Sequence, residues 1–140
     1  MAIHFFEEDI TSNLKKKKDT KSWLKESIQI EGKKLGTLNY VFCSDEYLHK
    51  MNVDFLQHDT LTDIITFDQS EIENKIEGDI FISVERVQEN AKKFNTTYID
   101  ELNRVMIHGA LHLIGYKDKK KADQELMRSK EDYYLSTRKF

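Results

Sequence analysis

Residues 97–118 read TYIDELNRVMIHGALHLIGYKD. Thr97 suits a helix N-cap, and Asp100 and Glu101 put negative charge into the first turn, where it complements the helix dipole. His108 and His112 are four apart, so on this helix they share one face about a turn from each other, close enough to bind one metal ion. Gly115 tolerates the left-handed conformation that ends helices, which lets the chain fold back after Ile114 and carry Asp118 towards the two imidazoles. A bare HxxxH pair can be two unrelated histidines; the glycine and the carboxylate after it give the pattern geometric content. His108, His112 and Asp118 are therefore the candidate ligands of one Zn2+ ion. Three N/O ligands leave a fourth position for water, the arrangement of catalytic rather than structural zinc. No catalytic role is assigned beyond that water.

The spacing also copies HExxHxxGxxH, the metzincin protease pattern, with an aspartate as third ligand. In those proteases the residue after the first histidine is the glutamate that takes a proton from the zinc-bound water, and here it is Gly109. A peptidase reading lacks its general base.

Outward from this helix, the chain alternates strand and helix patterns. Ile3 to Glu7 reads as a first strand, and Trp23, Leu24, Ile28 and Ile30 make a helical stripe closed by Gly32. Leu38 to Cys43 is a strand, after which Ser44 suits the N-cap of a short helix carrying Tyr47, Leu48 and Met51. Asp63 to Asp68 and Ile76 to Ile82 are β-branched runs with a polar stretch between them, a hairpin or neighbouring strands at a sheet edge. Ser83 caps the next helix, whose inner face is Val84, Val87, Ala91 and Phe94. A last helix carries Ala122, Leu126, Met127, Tyr133 and Tyr134. Four strands and about five helices in this order predict an α+β fold, a mixed four-stranded sheet packed with helices.

Composition narrows the function. The 140 residues, 39% hydrophobic, suit a single domain spanning 1–140 with one core. A net charge of -3 lacks the global basicity of a protein that coats nucleic acid, so any such contact is local. Cys43, the only cysteine, rules out an internal disulfide or a cysteine zinc cage and agrees with a reducing compartment. The acidic start MAIHFFEEDI is unlike a signal peptide, and no apolar run reaches bilayer-spanning length; cytoplasmic residence is the expectation. Lys117, Lys119, Lys120 and Lys121 surround the proposed third ligand as a local cationic cluster, and His58 lies ahead of the TDIITF strand. Lys15 to Lys18 reads as a solvated face. Trp23, Tyr133 and Tyr134 read as packing; Asp63 and Asp79 could be acid/base groups but read mainly as capping or orienting residues, and Thr62 and Ser83 as caps.

The run HGALHLIGYKD, with LTDIITFD (61–68), EGDIFIS (77–83) and MRSKED (127–132), resembles the YbeY family of bacterial metal-dependent endoribonucleases, over about Leu38 to Leu135. That resemblance implies a small α+β fold, a zinc ion and a single-stranded RNA substrate, with no DNA and no membrane as partner. It also implies processing of the 3′ end of small-subunit rRNA and ribosome quality control. Two departures stand out. The usual motif ends GYDH, with histidine as third ligand, where this chain has Lys117 and then Asp118. Carboxylate oxygen binds zinc at nearly the same distance as imidazole nitrogen, so a site survives, with a lower net charge and a less acidic bound water. Where many members carry an arginine thought to face RNA, this chain has Leu56, which leaves His58, Lys117 and Lys119 as the substrate-binding candidates. The alternatives are a metallohydrolase of another class and a ribosome-assembly binding module whose zinc is structural.

Overall fold

A computed structural model describes residues 2–56 and 62–140, and the side chains of all of these except Phe55 and Leu56. The chain runs β1 (Ala2–Glu7), α1 (Lys17–Ile30), β2 (Lys34–Cys43), α2 (Asp45–Leu56), β3 (Ile64–Asp68), β4 (Lys75–Ser83), α3 (Val84–Lys93), α4 (Tyr98–Ile114) and α5 (Lys121–Ser136). Three helix starts use the expected oxygens. Ser44 Oγ accepts from the Tyr47 N–H, Ser83 Oγ from the Arg86 N–H and Thr97 Oγ1 from the Asp100 N–H, each at 3.1 Å.

The strands form one mixed sheet in the order β1-β2-β4-β3. β1, β2 and β4 are parallel, and α1 supplies the crossover that a parallel β1–β2 pair needs. β3 pairs antiparallel with β4 at the sheet edge. Strand alternation then sorts the side chains onto two faces. Leu38, Tyr40 and Phe42 of β2 and Ile76, Ile80 and Ile82 of β4 join the main core with residues of α1, α3, α4 and α5. Cys43, Leu48 and Ile65 form a smaller core against α2, with Phe67 and Phe81 packed beside them. The α+β class, with a four-stranded mixed sheet and five helices among the described residues, is the one expected.

α4 lies directly on the sheet, and Gly109 is what permits it. A Cβ there would stand 2.9 Å from Ile64 Cδ1 and 3.0 Å from Ile80 Cγ2, so the glycine lets the helix backbone approach β3 and β4. Among the described residues, no helix is long and apolar enough to cross a membrane.

Five residues assigned to apolar stripes point outward instead. Ile30 is exposed because two residues beyond Ile28 is roughly 200° around a helix. In α5 the buried face is Met127, Glu131 and Tyr134, which leaves Leu126 and Tyr133, one position before Met127 and Tyr134, in solvent. Ala122 is exposed as well. Phe94, one turn after Ala91, is 55% exposed because α3 ends at Lys93 and its ring no longer follows the helical face. Trp23 is core, its Nε1–H donating to the Tyr134 carbonyl at 2.7 Å.

Candidate metal centre

Helix α4 presents His108 and His112 one turn apart, their ring centroids separated by 4.6 Å. The helix then stops where the sequence provides for it. Gly115 has φ 127°, and two hydrogen bonds close the end in a Schellman arrangement, Tyr116 N–H to the Leu111 carbonyl and Gly115 N–H to the His112 carbonyl. The reversal brings Asp118 Oδ2 to 3.3 Å from His108 Nε2 and 3.1 Å from His112 Nε2. One ligand atom from each of the three lies within 4.8 Å of the others, so the group could hold a metal ion. The donor set suits such an ion: two imidazole nitrogens and a carboxylate oxygen converge on one point, and two ring nitrogens beside a carboxylate are borderline zinc donors.

The reversal is also anchored from behind. Tyr116, two residues before Asp118, donates its hydroxyl to Glu31 at the end of α1 at 2.6 Å. Tyr134 of α5 donates to the same carboxylate, and Lys130 Nζ lies 3.2 Å from it. Burial pushes the Glu31 pKa up, but the three donors outweigh it and hold the carboxyl below its ordinary value.

Glu131 completes the centre, and its role was not read from the sequence. It is buried in α5, with Oε2 at 2.6 Å from His108 Nδ1 and Oε1 accepting from Arg104 Nη1 at 2.9 Å. An ionised carboxylate only accepts, so His108 carries its proton on Nδ1 and turns the Nε2 lone pair towards His112 and Asp118. Burial alone would lower the His108 pKa; the Glu131 hydrogen bond and the charges of Glu131, Asp118 and Asp63 raise it. The signal available was the MRSKED block, where a glutamate sits four residues after Met127 and three before Tyr134 on one helical face.

Two clefts meet at Asp118. One, of about 330 Å³, is lined by His108, Asp63, Glu101, Arg104 and Arg128 among others. The second, of about 480 Å³, is lined by His112 with Lys117, Lys119, Lys120 and Asp123. Lys117 and Lys119 thus share a cleft with His112, whereas His58 lies outside the described residues, as does the Leu56 side chain. Asp63 and Asp79, expected to play similar parts, separate. Asp79 is held on the sheet by amides of Asn39 and Gln69, at 3.0 and 3.2 Å. Asp63 lines the His108 cleft, where burial raises its pKa against the opposing pull of the His108 charge and of its own backbone N–H. Gly109 faces Ile64 and Ile80 rather than the histidines' cleft, so a protease-type glutamate at this position would meet the sheet.

Comparison with known proteins agrees with this construction. The family model of endoribonuclease YbeY matches residues 3–139. An endoribonuclease YbeY from Cytophaga hutchinsonii is 54% identical over 138 residues, 99% of this chain and 96% of the relative. Another, from Flavobacterium johnsoniae, is 62% identical over 110 residues, 79% of this chain and 78% of the relative. The solution structure of TM1509 from Thermotoga maritima matches with a TM-score of 0.68 at 31% identity, covering 96% of this chain and 87% of that one. With a family model matching nearly end to end and relatives above half identity, the chain belongs to the endoribonuclease YbeY family.

Proposed function

We propose that this protein is a zinc-dependent endoribonuclease that cuts single-stranded RNA, acting in the cytoplasm on the 3′ end of small-subunit rRNA and in ribosome quality control. The observation that carries the reading is the convergence of His108, His112 and Asp118, with Glu131 fixing the His108 tautomer. A zinc ion held by these three residues would supply Lewis acidity for a phosphodiester and lower the pKa of water. Lys117 and Lys119 meet phosphate oxygens as point charges on the His112 side. Asp63, lining the His108 cleft, takes or returns a proton at its carboxyl oxygen. Arg104 stays committed to Glu131 and Asp132, at 2.9 and 2.6 Å, and helps hold the Glu131 carboxylate in place against His108.

Both clefts open on the triad, which favours an enzyme over an assembly module with a closed structural metal. The position of Gly109 against the sheet disfavours a peptidase. The test is cleavage of a single-stranded rRNA fragment by metal-loaded protein, beside the chelator-stripped protein, a duplex control and the His112→Ala variant. Cutting of the single strand by the loaded wild type alone is expected. Equal cutting after metal removal, or cleavage of a peptide but not of RNA, would overturn the reading.

A further inference from the structure

The cleft beside His108 contains groups that the metal centre does not use. Phe94 follows the last residue of α3 and is 55% exposed, yet its ring lines this cleft together with His108 and Asp118. Asn90, one helical turn earlier, lines it too, and its side-chain amide makes no hydrogen bond among the described residues. Arg128 of α5 lines the cleft with no hydrogen bond among the described residues, its charge acting on Glu101 in the same lining, whereas Arg104 is taken up by Glu131 and Asp132. Lys93 Nζ lies over the Phe94 ring, 5.7 Å from its centroid, a cation–π contact.

An exposed aromatic ring, and an amide and a guanidinium that make no hydrogen bond among the described residues, surround one cleft and match the three parts of an unpaired nucleotide. A ring offers stacking to any base, an amide both donates and accepts at a base edge, and a guanidinium meets phosphate. Charge sets the orientation. Asp63 and Glu101 line the same cleft and repel a phosphate from the part they face. A neutral base therefore goes there, and the phosphodiesters stay with Arg128 and at the triad.

We propose that this cleft is a base-binding subsite, in which one unpaired base of the RNA strand stacks on Phe94 within reach of Asn90, and an adjacent phosphate is met by Arg128. This rests on the ribonuclease reading and specifies how its substrate lies. Asp118 lines both this cleft and the lysine-bearing one, so a strand seated in the two passes across the triad. The subsite accounts for single-strand selectivity, because a base held in a duplex cannot leave its stack without losing pairing.

The test is fluorescence anisotropy of zinc-loaded protein with a single-stranded rRNA fragment, and with fragments in which each base in turn is replaced by an abasic residue. For wild type, one abasic position should weaken binding on the order of 5- to 100-fold. Phe94→Ala should lose a similar factor on intact RNA, and no further factor on that abasic fragment. Phe94→Trp should bind at least as tightly as wild type, and Phe94→Leu as weakly as the alanine variant, with zinc content equal in all four proteins. Arg128→Gln should reduce the salt slope of binding by roughly 0.7. Phe94→Ala binding intact RNA like wild type, or losing affinity additively with every abasic position, overturns the subsite even if wild type still cuts RNA. Wild type that neither binds nor cuts single-stranded RNA overturns the ribonuclease reading and the subsite with it.

Discussion

At the residue scale the centre depends on two kinds of carboxylate. Asp118 is half-exposed and faces both histidines, while Glu131 is buried and acts on His108 from behind. Asp118→Ala should weaken zinc binding on the order of 10- to 1,000-fold, Asp118→His should keep the metal, and His112→Ala should abolish retention, all measurable by elemental analysis and competition with a chromogenic chelator. Glu131→Gln keeps the volume but removes the charge that holds the His108 tautomer. It should lower zinc affinity by roughly 10- to 100-fold. Unchanged affinity in this variant would show that His108 is oriented by the α4 backbone alone.

At the element scale the decisive feature is how three elements lock the turn that carries Asp118. Glu31 ends α1, Tyr116 follows α4, and Lys130 and Tyr134 belong to α5, so one carboxylate ties all three together. Because the folded-state pKa of Glu31 lies below its unfolded value, its contribution to stability is present above the ordinary carboxylate range. It is lost as pH falls through the depressed value. Glu31→Gln should therefore cost roughly 1–3 kcal/mol near neutrality. The gap to wild type should close on acidification below about pH 4.5, the reference value for this group. Urea titrations at neutral and acid pH check this; a gap that stays constant with pH would mean that the carboxylate charge contributes nothing. The same packing explains two misreadings of periodicity. Phe94 follows Ala91 at a helical interval but lies past the end of α3, and Leu126 and Tyr133 sit a single position from the buried face of α5.

Across the whole molecule, charge is unfavourable to RNA except locally. With a net charge of -3, affinity has to come from the cations around the two clefts. Replacing Lys117 and Lys119 together by alanine should lower the salt slope of single-stranded RNA binding by roughly 0.7 per lost phosphate contact, with zinc content intact. A slope equal to that of wild type would send the strand over another surface. The sheet itself sets this geography. β3 at the edge and β4 beside it support α4 through Ile64 and Ile80, and Asp63, just before β3, arrives in the cleft with His108.

The sequence by itself determined whatever depends on local geometry. The i, i+4 pair His108 and His112, the stop at Gly115, the caps Ser83 and Thr97, and the alternation of β2 and β4 all follow from fixed periods and from backbone preferences within a few residues. Only the tertiary structure decided that Glu131 meets His108 across 23 positions, that Glu31 anchors Tyr116 across 85, that Asp63 and Asp79 part company, and that Phe94 opens onto the cleft. A period says which residues share a face. Which face meets which neighbour is set by how α1, α4 and α5 pack on one side of the sheet, and that depends on side-chain volumes and register from the whole chain at once.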